Sequence, residues 1–180
     1  MFRTSHIIFS TAYRNVKRMA ASFKQFSEQK IRLVDAELDI NYVRAGNGPK
    51  AVLLIPGACG SAWTHFRPQI ESLPELLPNH TIIAFDPPGF GRSIPPNRKF
   101  SVDFPRKDAD CAHSLMKTLS IDKYSVLGWS NGGFSAMITA AKYPQHVEKL
   151  VVWGSYAYIS EQQVKDLVGK RHILDEFWPR

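Results

Sequence analysis

Apolar and polar positions along the chain change rhythm several times, and each change predicts an element. Ile31–Val34 and Leu38–Arg44 alternate apolar and polar residues, the period of half-buried strands, and predict a hairpin. Gly46-Asn47-Gly48-Pro49 then breaks the chain. Four short, continuous apolar runs follow: Ala51–Ile55, Thr81–Phe85, Tyr124–Leu127 and Leu150–Trp153. Such runs suit strands covered on both faces, as in a parallel sheet. Residues 103–119 and 131–143 read as helices, the second stopped by Pro144. The alternation of strand and helix predicts an α/β fold, a mostly parallel twisted sheet with helices on both faces. Beyond Trp153 the rhythm changes. Residues 161–168 read as a polar helix, and Phe177-Trp178-Pro179-Arg180 supply no closing element.

The first 27 residues follow a different logic. Phe2, Phe9, Tyr13, Val16, Ala20 and Phe23 recur at steps of three, four and seven, one face of a helix. Arg3, Arg14, Lys17, Arg18 and Lys24 lie among them with no Asp or Glu, and Ser and Thr are frequent. That composition is expected of a mitochondrial transit peptide; the alternative is a basic tail on a cytoplasmic protein. Those five charges are most of the net +7 of the 180-residue chain, so the remainder is nearly neutral and nucleic acid is not an expected partner. No apolar stretch reaches the length of a membrane span, so no integral membrane association is expected. Two cysteines, Cys59 and Cys111, neither frame a disulfide scaffold nor have metal-ligand spacing.

Candidate chemistry begins at Gly128-Trp129-Ser130-Asn131-Gly132, a G-x-S-x-G between an apolar strand and a small-residue helix. The spacing has a steric reason. A nucleophile on a sharp strand-to-helix turn has a strained backbone, and glycines two positions either side let strand and helix approach. The turn exposes the Ser130 hydroxyl and aims the amide of Asn131, with the helix N-terminus, at a developing oxyanion. Such nucleophiles take a second oxyanion donor from an earlier β–α loop. Ile55-Pro56-Gly57-Ala58-Cys59-Gly60 is that loop here, with Ala58 the candidate donor and Cys59 its neighbour. Cys59 is expected to line the substrate-binding pocket rather than to perform chemistry, near Trp129 and Asn131 of the turn. Asp86-Pro87-Pro88-Gly89-Phe90-Gly91-Arg92-Ser93 reads as architecture near the pocket mouth rather than as a catalytic carboxylate. Asp108, Asp110 and His113 fall on one helix and read as a solvated face, not as metal ligands. No phosphate-binding loop or cofactor fingerprint is present, so neither cofactor nor metal is expected.

These three segments, in this order, resemble the α/β-hydrolase superfamily. Leu-Gly-Trp-Ser-Asn-Gly-Gly at 127–133, Ala-Ala-Lys-Tyr-Pro at 140–144 and Val-Val-Trp-Gly-Ser-Tyr-Ala-Tyr at 151–158 look like its valacyclovir hydrolase, or biphenyl hydrolase-like, branch. Asp86–Ser93 and Pro95-Pro96 fit the same branch. The resemblance runs from about Ile31 to Tyr158. It implies a mitochondrial serine hydrolase of carboxylic esters, α-amino-acid esters in particular, acting through an acyl-enzyme on a small-molecule substrate and monomeric in its full-length form. The branch carries an Asp after the nucleophile to pair with a substrate ammonium; here Asn131 replaces that charge with a neutral amide.

In this fold the triad acid and His follow the serine on later strands. The candidates after Ser130 are His146, His172, Glu148, Glu161, Asp166, Asp175 and Glu176. His146 is expected at the wrong end of the sheet and His172 at the start of a cap. The triad acid and His are therefore expected to be absent from this chain. The expected organisation is a presequence over 1–27, the N-terminal part of the hydrolase core over 28–158 and the start of a cap or lid over 159–180, truncated before the last strands. The alternatives are a non-catalytic truncated product, or a thioesterase, lactonase or perhydrolase of the same fold.

Overall fold

The computed structural model describes residues 26–101, 103–155 and 158. The expected amphipathic N-terminal helix, the polar helix at 161–168 and His172 lie outside them. Strands β1 (Phe26–Arg32) and β2 (Asp39–Ala45) form the hairpin, with Ile31 opposite Ile40. β1 thus starts inside the segment assigned to a presequence. The chain continues through β3 (Lys50–Ile55), α1 (Ala62–Leu76), β4 (His80–Phe85), α2 (Phe104–Thr118), β5 (Tyr124–Trp129), α3 (Asn131–Lys142) and β6 (Val147–Trp153).

The sheet order is β1-β2-β4-β3-β5-β6. β1, β2 and β4 pair antiparallel, while β4, β3, β5 and β6 pair parallel. Side chains alternate across the sheet as extended backbone requires. Ala51, Leu53 and Ile55 of β3 join Cys111, Ala112, Leu115 and Met116 of α2 and Ala136 of α3 in one cluster. Val52 and Leu54 point the other way, onto Ala62, Phe66 and Ile70 of α1. Helices therefore cover both faces, and each fully buried side chain such as Phe66 or Ile70 contributes about 1.5–3 kcal/mol of burial.

One element escapes the sequence pattern and one expectation is corrected. The helix α1 was not read from the pattern. Pro68 and Pro74 lie inside it, and Phe66 leaves helical geometry at φ −126°, ψ 16°, which breaks the apolar rhythm. Its signals are a Ser61/Thr64 capping box and buried Ala62, Phe66, Ile70 and Pro74, four residues apart. Asp108 is not solvated: it is 4% exposed and bound through both oxygens to Arg98, at 2.7 and 2.6 Å. Asp110 accepts from Lys142 and from the Tyr143 hydroxyl, and His113 meets the Tyr124 hydroxyl at 2.9 Å. The three residues face three different partners.

The direction of winding reverses at the middle of the sheet. From β3 the chain moves through α1 to β4 on one side; β5 lies on the other and leads through α3 to β6. Loops leaving the carboxyl ends of β3 and β5 diverge there, the place where open α/β sheets form a crevice.

Candidate active site at the β5–α3 turn

Ser130 stands between β5 and α3 with φ 54° and ψ −125°. That is a left-handed conformation that costs a residue with a Cβ about 1–3 kcal/mol unless its surroundings hold it. They do hold it. The Ser130 amide donates to the Trp153 carbonyl at 3.0 Å, and the Gly133 amide donates to the Ser130 carbonyl at 2.9 Å. Although Ser is a common helix cap, this side chain makes no capping hydrogen bond, so the hydroxyl is left for other work.

The glycines of the motif are set by contact. A Cβ at Gly128 would lie 2.4 Å from the Gly132 carbonyl oxygen, and one at Gly132 would lie 2.1 Å from that of Ile55. Helix α3 can begin against the ends of β3 and β5 only without those atoms. A Cβ at Gly57 would stand 3.1 Å from the Ser130 Cβ, which puts the β3–α1 loop directly against the turn.

Ala58 and Cys59 follow Gly57 and are exposed; Cys59 takes φ 64°. The amides of Ala58, Cys59 and Asn131 have no hydrogen-bond partner among the described residues. The Asn131 amide opens α3 next to the half-buried Ser130, while Ala58 and Cys59 follow Gly57, the loop position that abuts the Ser130 Cβ. Partial desolvation raises the Cys59 thiol above its ordinary range, against the pull of Arg98, so it stays protonated. The Trp129 ring turns to the α1 face and meets His65 edge-on at 4.5 Å. Burial lowers the His65 imidazole, which is therefore neutral at pH 7. Asn131 is half-buried at the first position of α3.

No imidazole among the described residues hydrogen-bonds the Ser130 hydroxyl. His146 sits at the far end of the sheet, where its carbonyl accepts from the first residue of β5, Tyr124, at 2.9 Å. A cavity of about 540 Å³ lies elsewhere, between α2 and residues 96–101, lined by Phe104, Cys111, His113 and Tyr143 and not by Ser130. Asp86 has a role that local sequence does not announce. Its carboxylate accepts from the Ala62 amide at 2.8 Å, the Arg92 amide at 2.8 Å and the Asn41 side chain at 3.0 Å. The Asp86–Ser93 loop is thus an architectural element.

Residues 50–171 match the family model described as alpha/beta hydrolase fold. The human serine hydrolase BPHL is 44% identical over 136 residues, 76% of this chain and 46% of that protein. A 2-hydroxy-6-oxononadienedioate/2-hydroxy-6-oxononatrienedioate hydrolase of Pseudomonas sp is 32% identical over 145 residues, 76% of this chain and 48% of that protein. Among solved structures, the 2-hydroxy-6-oxo-6-phenylhexa-2,4-dienoate hydrolase of Rhodococcus sp. strain RHA1 superposes with a TM-score of 0.65 at 25% identity, covering 76% of this chain and 49% of that one. The chain spans about half the length of the curated relatives it matches. No helix among the described residues is long and apolar enough to cross a membrane.

Proposed function

Because the chain belongs to the α/β-hydrolase fold family, we propose that the complete protein is a serine hydrolase of carboxylic esters, α-amino-acid esters among them, with Ser130 as its nucleophile. The observation that carries this is the left-handed backbone of Ser130 on a strand-to-helix turn, its hydroxyl spared from capping and the β3–α1 loop packed against it at Gly57. The Ser130 Oγ attacks the ester carbonyl carbon and passes its proton to a general base. The amides of Ala58 and Asn131 hold the oxyanion, which collapses to the acyl-enzyme as the alcohol leaves with that proton. Water then attacks the acyl carbon and restores the hydroxyl. In this fold the general base is a histidine oriented by a carboxylate, both following the serine in chain order. Human and mouse BPHL support the serine-hydrolase reading.

At Asn131 a neutral amide can accept from a substrate ammonium but offers no opposite charge. Discrimination between an amino-acid ester and its deaminated analogue is therefore modest. The basic, acid-free N-terminus favours import into mitochondria. The test is a fluorophosphonate probe on the full-length protein: Ser130 is labelled and Ser130→Ala is not. Labelling that persists in the variant refutes the assignment.

A further inference from the structure

Asp86 is a carboxylate only 2% exposed, with no cation against it among the described residues: the Arg92 guanidinium reaches Glu28 instead, at 2.9 Å. Burying such a charge is costly unless N–H donors replace its water. Three donors do so, from three separate parts of the chain. Oδ2 takes the Asn41 side chain and the Arg92 amide, while Oδ1 takes the amide of Ala62, the first residue of α1. The positive end of α1 adds to the compensation.

The Ala62 bond has a consequence for the candidate site. Only Gly60 and Ser61 separate Ala62 from Cys59. The segment between has little slack, since the Gly60 amide donates to the Gly57 carbonyl at 3.2 Å and Ser61 is engaged in the α1 capping box. The loop bearing the Ala58 and Cys59 amides is thus fixed at one end by β3 and at the other by Asp86. Gly91 confirms how closely this anchor is built: a Cβ there would lie 2.2 Å from Asp86 Oδ2.

We infer that Asp86 is a positioning residue for the oxyanion amides, acting through the Ala62 N–H to hold the β3–α1 loop against Ser130. The inference rests on the Ser130 reading. Asp86 touches no reacting atom. Its work is to keep two main-chain donors aimed while charge develops on the substrate oxygen, an effect felt in the transition state and little in the bound ester.

Asp86→Asn places one NH₂ among these donors. The orientation that keeps the most bonds leaves the oxygen facing Asn41 and Arg92 and turns the NH₂ against the Ala62 amide, so that contact is lost. Ala62→Pro is the second variant. It replaces the donor at a first helical position, after a Ser61 already in extended backbone (φ −121°, ψ 174°), and its ring carbon must stand off the Asp86 oxygen now 2.8 Å from that nitrogen, so the anchor is broken and the loop pushed away. Each full-length variant is titrated to completion with the fluorophosphonate, and turnover is expressed per labelled site, so unfolded molecules do not count. Both variants should lose about 10- to 100-fold in kcat per site with KM changed by less than about threefold. Affinity for an alkyl boronic acid, which forms a tetrahedral adduct on the serine, should fall by the same factor. Leu115→Ala, a core truncation under α2, should lower the number of sites and not kcat per site. If either folded variant keeps kcat per site within about twofold of the parent, the inference is overturned while the nucleophile assignment stands. If Ser130→Ala still takes the label, the assignment and this inference fall together.

Discussion

Substituting Gly132 by Ala separates helix placement from helix stability. A Cβ on residue 132 would lie 2.1 Å from the Ile55 carbonyl oxygen and 2.5 Å from that of Pro56. Contacts under 3.0 Å essentially do not occur for real Cβ atoms, and both neighbours are main chain at the end of a central strand. Helix α3 must therefore withdraw from β3 by roughly 1 Å. Overpacking of this kind costs about 1–3 kcal/mol, and Ala returns about 1 kcal/mol of helix propensity. The net loss of stability is about 0–2 kcal/mol, small enough for the full-length protein to remain folded. The chemistry is less forgiving. Ser130 and the Asn131 amide travel with α3, whereas Gly57 and Ala58 stay with β3. A misplacement of about 1 Å at a reacting centre lowers rates on the order of 100-fold. Turnover of a chromogenic ester, read beside the urea midpoint, should show a large activity loss with a small stability loss. A Gly132→Ala enzyme within about twofold of the parent in kcat/KM would refute the close-contact reasoning.

Two further outcomes follow from groups away from the turn. The Arg98–Asp108 pair is bidentate and buried, with side chains 9% and 6% exposed, and Phe90, Phe100 and Phe104 stand around the guanidinium with ring centroids at 4.9, 5.5 and 5.1 Å. Arg98→Met leaves Asp108 without its partner and should cost about 3–5 kcal/mol in urea unfolding, with the Arg98→Met/Asp108→Leu pair costing less than either single change; a single-variant cost below about 1 kcal/mol would refute it. Burial holds the His65 and His113 imidazoles below the ordinary histidine range, His146 adding to the effect at His113. Their neutral forms therefore support the fold above about pH 6.5, and that support is lost as pH falls through their folded values. Thermal midpoints should drop between pH 7.5 and 5.5, and His65→Phe should flatten the drop; identical slopes for parent and variant would contradict this.

What could be read from sequence was what neighbouring residues decide among themselves. The parallel strands, the hairpin and the turn at Ser130 are local patterns, and the glycines of G-x-S-x-G are constrained by atoms only a few residues or one strand away. Helix α1 is hidden because Pro68, Pro74 and the break at Phe66 disturb the rhythm that marks a helix, and its capping box pairs Ser61 with Thr64 in place of the usual Glu or Gln. The burial of Asp108 is not legible in sequence because its partner, Arg98, reaches it from an irregular loop with no periodicity of its own. The three-way grip of Asp86 joins β2, the loop after β4 and the head of α1, a meeting that only the folded sheet creates.

That dependence on assembly extends to Ser130 itself. Its backbone is unfavourable in isolation, so the turn persists only while its flanking hydrogen bonds persist. One of them, the Ser130 amide to the Trp153 carbonyl, comes from the last residue of β6. β6 pairs with β5 through Trp129 opposite Trp153, and nothing among the described residues pairs with its other edge. Leu150, Val151, Val152 and Trp153 are 37% to 50% exposed, an apolar surface that gains stability when covered. Covering β6 would therefore do two things at once: bury those side chains and steady the acceptor that holds Ser130 in its left-handed conformation. The left-handed conformation of Ser130 is in this sense a property of the sheet, transmitted across one strand by one hydrogen bond.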